Sequence, residues 1–199
     1  MNKKISIVLT GVGGQGVITA ANILGKAAIN AGVTAYVSEV HGMAQRGGSV
    51  NCSVRMGNVS GALVASGTAD VILSMEPCET LRYIYYANKN TISITDVTPV
   101  IPFTVSVGTD EYPDINDIYK EIMRYSKLYK IDATKIAHDA GAVITKNIVM
   151  LGALAGTDIL PFDSNILLNT ILENVPSKYK EINKRAFEGG YNFIKNEKN

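Results

Sequence analysis

The first hundred residues alternate between short apolar runs and clusters of glycine, proline and small polar residues. Residues 5–10, ISIVLT, are apolar and β-branched with no polar face, and predict a buried strand. From residue 17 the period changes. Val17, Ala21, Leu24, Ala28 and Ala31 recur at helical spacing, with Thr19, Asn22, Lys26 and Asn30 on the opposite side. Gly32 stands where such a helix would stop. A second strand is expected over Thr34–Ser38, which makes strand, glycine turn, helix and strand a parallel, right-handed β-α-β unit. Residues 39–49, EVHGMAQRGGS, have no apolar period and read as a loop. SVNCSVRM then alternates, Val50, Cys52, Val54 and Met56 on one face and Asn51, Ser53 and Arg55 on the other, as in a half-buried strand. Gly57 to Gly67 is punctuated like a series of turns. DVILSM at 70–75 and TISITD at 91–96 predict two further strands. Between them Pro77 occupies a first helical position behind Glu76, and the two prolines of TPVIP at 98–102 exclude a helix there.

The second half reads as mostly helical. Ile115, Ile118, Tyr119 and Ile122 form one stripe, and residues 143–155 are apolar nearly all round, as in a buried helix. Helices near 163–174 and 178–195 follow, the last with Glu181–Arg185 and Lys184–Glu188 pairs on its wet face. Strand, turn and helix in alternation followed by helices predict an α/β fold, Rossmann-like and three-layered, with a mostly parallel sheet and C-terminal helices.

Composition narrows the function classes. With 199 residues and 46% hydrophobic content the chain can bury a substantial core. A net charge of +1 argues against nucleic-acid or membrane-surface binding driven by bulk charge. No stretch approaches the ~18 apolar residues of a membrane span, and the glycine loop follows the N-terminal apolar run too soon for a signal peptide. A cytoplasmic protein is expected. Cys52 and Cys78, the only cysteines, cannot by themselves ligate an iron–sulfur cluster or build a four-cysteine zinc site.

GVGGQG at 11–16 places a G-x-G-x-x-G between a strand and a helix. In such a loop the first glycine permits a tight turn, the second lets backbone approach a phosphate, and the third lets helix and strand pack closely. Gly11, Gly13 and Gly16 hold those places, and the helix amino end would supply free N–H groups. A P-loop needs lysine directly after its last glycine, whereas Val17, Ile18 and Thr19 follow Gly16 and Lys26 is too distant. A nicotinamide or flavin site wants an acid at the end of the second strand, where Glu39 lies, 23 residues past Gly16. The spacing alone leaves phosphate binding and a purely structural turn both open.

HGMAQRGGS at 41–49 should leave the carboxyl edge of the sheet, with His41, Gln45 and Arg46 as its polar heads. Arg46 could pair with a phosphate or carboxylate, or equally brace a neighbouring subunit. His41 and His138 are the only histidines, and neither is placed beside a nucleophile. Cys52 falls on the apolar face of its strand and reads as a buried, inert thiol; Cys78 opens a helix, where a thiolate would be stabilised. Glu76 and Asp96 end strands and could line a cleft, although such residues more often cap the next segment. Tyr83, Tyr85 and Tyr86 read as packing or interface residues.

GVGGQGVITAANILGKAA followed by SEVHGMAQRGGSVNCSVRMG closely resembles the gamma-type domain of 2-oxoacid:ferredoxin oxidoreductases. The likeness continues through DVILSMEP, NIVMLGAL at 147–154 and AFEGGY at 186–191, and is greatest to the small subunits of the indolepyruvate branch. It implies one gamma-type domain over 1–199, with 143–199 a helical C-terminal extension packed on it. It also implies an oxidative decarboxylation: a 2-oxoacid and coenzyme A give acyl-CoA and CO2, and ferredoxin takes the electrons. Thiamine diphosphate, Mg2+ and the iron–sulfur clusters are expected on a larger catalytic partner subunit, with ferredoxin reached through the complex. This chain then contributes coenzyme A binding, subunit docking or both. The matching positions are Gly11, Gly13, Gly14, Gln15 and Gly16 in the first loop and Gly42, Gln45, Arg46, Gly47, Gly48 and Ser49 in the second. No catalytic residue and no metal ligand is assigned to this chain. A pyruvate or 2-oxoglutarate gamma subunit, and a free-standing NAD(P)-binding dehydrogenase or regulator, are the alternatives.

Overall fold

The computed structural model of the chain describes residues 4–41 and 47–198. Six strands form one sheet: β1 (Ile5–Val12), β2 (Ala35–His41), β3 (Ser49–Met56), β4 (Val71–Ser74), β5 (Ile92–Asp96) and β6 (Lys127–Ile131). Their order is β2-β3-β1-β4-β5-β6. The pairs β1–β4, β4–β5 and β5–β6 are parallel, whereas β3 runs antiparallel to both of its neighbours. The mostly parallel α/β sheet is therefore as expected, with one correction. β1 and β2 point the same way but are not paired, because β3 lies between them. Only residues 42–48 connect β2 to β3, and a parallel crossover needs about a dozen residues or more, so β3 must return antiparallel.

Alternation along β1 explains the layers. Ile5, Ile7 and Leu9 enter the larger core, together with Val71, Leu73 and Ile94 of the neighbouring strands. Five helices cover that face: α1 (Val17–Asn30), then, further along the chain, α5 (Ala133–Ala140), α6 (Lys146–Gly156), α7 (Ser164–Glu173) and α8 (Lys180–Lys198). Val8 and Ile72 point to the other face, under Val64, Ile84 and Tyr86. There α2 (Pro77–Arg82) packs on α4 (Ile115–Met123), and the exposed four-residue α3 (Phe103–Ser106) lies in the segment between β5 and α4. The second face is unusually polar for a buried one. Thr10, Ser74, Ser93 and Thr95 are all fully buried and all partnered: Thr10 donates to the Val50 carbonyl at 3.2 Å and Ser74 to that of Glu76 at 2.7 Å, Thr80 donates to Thr95 at 2.9 Å, and Ser93 lies 2.8 Å from the Ser126 hydroxyl.

Most predicted elements are present. Thr19, Asn22, Lys26 and Asn30 are exposed on α1, and Gly32 has φ 72°, the left-handed stop expected of it. Pro77 opens α2, and the Glu76 carboxylate caps it by accepting the Glu79 N–H at 2.8 Å. The buried helix is shorter than the apolar run. Val143 and Ile144 form a 3-10 turn and are 49% and 89% exposed, and the helix proper begins at Lys146. The pattern did not predict β6 or α5. KLYKI is an edge strand in which Lys127 and Lys130 are exposed while Tyr129 and Ile131 are buried; Lys127 falls on the same side as the buried pair, so the run does not alternate cleanly within its helical stretch. Among the described residues Lys184–Glu188 forms at 3.9 Å and Glu181–Arg185 does not form an ion pair.

α6 and α8 cross in close backbone contact. A Cβ on Gly152 would lie 2.0 Å from the Phe187 carbonyl oxygen, and one on Gly190 would lie 1.9 Å from that of Val149. NIVMLGAL and AFEGGY, far apart in sequence, are thus the two sides of one backbone-to-backbone crossing. Among the described residues no helix is long and apolar enough to cross a membrane.

Candidate functional site

The carboxyl ends of β1, β4 and β5 share one edge of the sheet, and the amino end of β3 lies beside them, Val12 opposite Ser49. From β1 the chain leaves toward β2, and β4 and β5 lie on the other side, so the β1–β4 crevice is the topological switch point where open α/β sheets take ligands.

The glycine loop is held by its own glutamine. Gln15 Oε1 accepts the Val12 N–H at 2.7 Å, and Gln15 Nε2 donates to the Met75 carbonyl at 3.0 Å, tying β1 to β4. The glycines do not divide their roles as the motif suggested. Gly11 is still in β1, and it rather than Gly16 provides the close packing of helix on strand: a Cβ there would meet Gln15 Oε1 at 2.8 Å, Val17 Cγ2 at 2.9 Å and Met75 Cβ at 3.0 Å. Gly13 donates its N–H to the Gly48 carbonyl at 2.7 Å and accepts the Gly47 N–H at 3.3 Å. Its amide, in the place a phosphate-binding glycine would hold, is engaged by the second loop. Gly14 is exposed with φ 101° and open space around it. Gly16 is the residue before α1, at φ 79°, and a Cβ on it would strike Asn147 Nδ2 of α6 at 2.7 Å. The left-handed backbone and the close approach both demand glycine there.

The α1 amino end carries no side-chain cap and no acidic residue in its first turn. Its first N–H groups have no intrahelical acceptors, as at any helix start, so this end suits an anion. Of the second loop, the structure places Gly47, Gly48 and Ser49. Gly42, Gln45 and Arg46 lie outside the described residues, as does the side chain of His41. Ser49 does not face the glycine loop. Its hydroxyl donates to the Glu79 carboxylate and lies 3.0 Å from the Tyr83 hydroxyl. Glu79 also holds Arg82 at 2.9 Å, and that contact lifts the guanidinium above its ordinary range. Glu79 was not among the residues read from the sequence, although its place three residues after a capping acid is a helix-start signal.

A cavity of about 560 Å³ opens beside these groups, between Gly47–Ser49, the start of α2 and the 100–113 segment. Glu76, Glu79, Asp110 and Glu111 line it, with Arg82 the one basic residue among the described lining. Phosphate is disfavoured there by the like charge, and the α1 end is the better anion site. No group of three or more His, Cys, Asp or Glu side chains among the described residues could hold a metal ion.

The two thiols contrast with the helix-start expectation for Cys78. Burial and the neighbouring Glu39 push Cys52 up to about 12. Burial also raises Cys78, and Glu76 and Glu79 add to the rise, outweighing a hydrogen bond with Tyr112 and the positive Arg82. At pH 8 iodoacetamide is expected to label Cys78 more slowly than free cysteine and Cys52 only after unfolding, as followed by intact mass. Rapid labelling of Cys78 in the folded protein would contradict this. His138 is 78% exposed on α5, away from any nucleophile, and its nearest acid is Asp139 at 3.5 Å. Asp96 lines no cleft: it is fully buried, caps α5 through the Ala133 N–H at 3.1 Å and pairs with Lys146 at 2.6 Å.

Residues 6–193 match the family described as pyruvate ferredoxin/flavodoxin oxidoreductase. The chain belongs to that family. Indolepyruvate oxidoreductase subunit IorB of Thermococcus kodakarensis is 46% identical over 191 residues, covering 94% of this chain and 95% of the relative. The IorB subunit of Archaeoglobus fulgidus is 40% identical, covering 95% and 94%. Pyruvate synthase subunit PorC and 2-oxoglutarate synthase subunit KorC of Methanocaldococcus jannaschii each reach 31%. The chain is thus a small subunit of the 2-oxoacid:ferredoxin oxidoreductase family, of the indolepyruvate type by similarity. The fold agrees. The gamma subunit of a keto/oxoacid ferredoxin oxidoreductase from Geobacter sulfurreducens superposes with TM-score 0.71 at 23% identity, covering 96% of this chain and 98% of that one. The 2-oxoglutarate:ferredoxin oxidoreductase of Magnetococcus marinus, solved with 2-oxoglutarate, coenzyme A and succinyl-CoA bound, gives TM-score 0.75 at 22% identity. The match covers 98% of this chain and 32% of that one, so in that enzyme the same fold is part of a longer polypeptide.

Proposed function

We propose that this chain is the accessory subunit of a thiamine-diphosphate-dependent oxidoreductase acting on indolepyruvate or another aryl pyruvate. The overall reaction joins the 2-oxoacid to coenzyme A as acyl-CoA, releases CO2 and passes the electron pair to ferredoxin. The observation that carries the reading is the gap in identity between indolepyruvate-type relatives, 36–46%, and pyruvate and 2-oxoglutarate types, 28–31%, over nearly the same length.

Thiamine diphosphate would supply the decarboxylation chemistry from the larger subunit, and the iron–sulfur clusters would reside there too. This chain fits neither role. Its cysteines are two, and Cys52 is buried in the core. Coenzyme A fits better. The α1 amino end, uncapped and free of acids in its first turn, would receive its diphosphate; Gly14, with open space around it, leaves the backbone room to approach, and Arg46 would add charge from the second loop. The Gly13–Gly48 and Gly47–Gly13 hydrogen bonds make the two loops one surface, so a contact with the larger subunit at one loop would position the other.

Thr19 is exposed in the first turn of α1 and tests the site. Thr19→Glu puts a negative charge where a helix amino end favours it by about 0.3–1 kcal/mol, so stability should hold or rise slightly. A bound diphosphate would be repelled, and the apparent KM for coenzyme A is expected to rise about tenfold, equivalent to about 1.4 kcal/mol. Arg46→Ala should raise the same KM at unchanged kcat. Steady-state kinetics on the assembled complex measures both. An unchanged KM in both variants, with assembly weakened, would assign the loops to docking alone.

A further inference from the structure

The acid-lined cavity is not used by the coenzyme A reading, and its chemistry differs from that of the glycine loops. Its floor is fixed. Glu76 is 1% exposed, and its carboxylate accepts the N–H groups of Glu79 at 2.8 Å and Val100 at 3.3 Å and the hydroxyl of Tyr112, so it pins the 98–112 segment to the end of β4. Glu79 is 5% exposed, and Asp110 and Glu111 stand at the rim. Arg82 is already held by Glu79. Even with Arg46 added from the adjoining loop, carboxylates would outnumber bases four to two. The lip is apolar. Ile101, Phe103 and Val107 are 49%, 78% and 53% exposed within seven residues, and α3 buries none of its side chains. Single exposed apolar residues are ordinary, but three on one short segment beside a cavity mark an interaction surface.

We propose that the cavity and its lip dock a segment of the larger subunit bearing lysine or arginine beside apolar side chains. The inference rests on the accessory-subunit reading and assigns it a surface. The basic side chain enters between Glu79 and the Asp110–Glu111 rim, and the apolar neighbours cover Ile101 and Phe103. Opposite charge sets the register of such a contact, and aromatic and aliphatic side chains beside it supply the buried apolar area. An anionic small molecule is the wrong occupant, because it would face an excess of carboxylates.

The test is affinity for the larger subunit, measured by calorimetry at low and high salt with the full-length proteins. Asp110→Lys/Glu111→Lys and, separately, Phe103→Ser are expected to weaken association by about tenfold or more. Both changes are at exposed positions, so the far-UV spectrum should stay that of the wild type. Ile29→Ser, at a 64% exposed apolar residue outside the cavity and away from the α1 amino end, should bind as the wild type does. Wild-type affinity should fall with salt. Unchanged affinity in both cavity variants, or a loss confined to Ile29→Ser, overturns the proposal. Dissociation of a self-dimer by Phe103→Ser, with affinity for the larger subunit intact, makes a second copy the occupant and also overturns it. A wild-type chain that does not associate with the larger subunit at all removes the accessory reading itself.

Discussion

Gly190→Ala is expected to destabilise the protein by about 3 kcal/mol, although alanine is the better helix former. Propensity alone would favour alanine by about 0.5–1 kcal/mol in a helix interior. The added methyl group, however, would sit 1.9 Å from the Val149 carbonyl oxygen and 2.9 Å from the Ala153 nitrogen. These are backbone atoms of α6 and cannot swing aside, so α8 must move away from the core. Overpacking of this kind costs about 1–3 kcal/mol and occasionally more, and rigid backbone places this case at the upper end. For a chain of this size that is a fall in Tm of about 6–12 °C. Thermal unfolding followed by circular dichroism measures it. A Tm equal to or above that of the wild type would mean that the α6–α8 crossing is looser than described.

Lys146→Ala is the second large effect, with an expected loss of about 3 kcal/mol. Asp96 is fully buried and Lys146 is 14% exposed by side chain. A cation in the first turn of a helix is itself unfavourable, so Lys146 stands there because it neutralises Asp96. Without it the carboxylate keeps the Ala133 N–H at 3.1 Å and the Thr98 hydroxyl at 3.4 Å, but its charge is unpaired. Replacing both partners, Lys146→Met with Asp96→Leu, should cost less than the sum of the single changes, because no unpaired charge remains. Urea unfolding of the four proteins of that cycle measures the coupling. A single-variant loss below about 0.5 kcal/mol would place the pair in the class of solvent-screened bridges. The change should also disturb function: the next residue, Asn147, rests against Gly16 at the start of α1.

The sequence was most informative where local pattern decides structure. β1, α1 and the stop at Gly32 follow from period and from left-handed glycine, and Glu76–Pro77 from capping chemistry. Pairing was not legible in the same way. The short loop after β2 makes β3 return antiparallel beside it, but that β3 also pairs with β1 is a long-range contact that no local pattern carries. β6 was missed because KLYKI does not alternate: Lys127 and Lys130 stand three apart, a spacing that fits the helical pattern around them. At the site, the loops could be found but their division of labour could not. Whether the Gly13 amide is free depends on Gly48, 35 residues further on, and whether Gly16 could be larger depends on Asn147. Gly152 and Gly190 show the same limit: no local pattern around them demands glycine, and only the crossing shows that nothing larger fits. Glu79, which holds Ser49 and Arg82 beside the cavity, carried a helix-start signal that reads as capping and says nothing of the cavity.

Reconstitution with the larger subunit tests the central claim most directly. Reduction of ferredoxin is followed with indolepyruvate, pyruvate or 2-oxoglutarate, with and without coenzyme A, for each subunit alone and for the two together. Electron transfer is expected to require both subunits and coenzyme A, with kcat/KM highest for indolepyruvate or another aryl pyruvate. Full activity of the larger subunit by itself, with the same KM for coenzyme A as the complex, would contradict it.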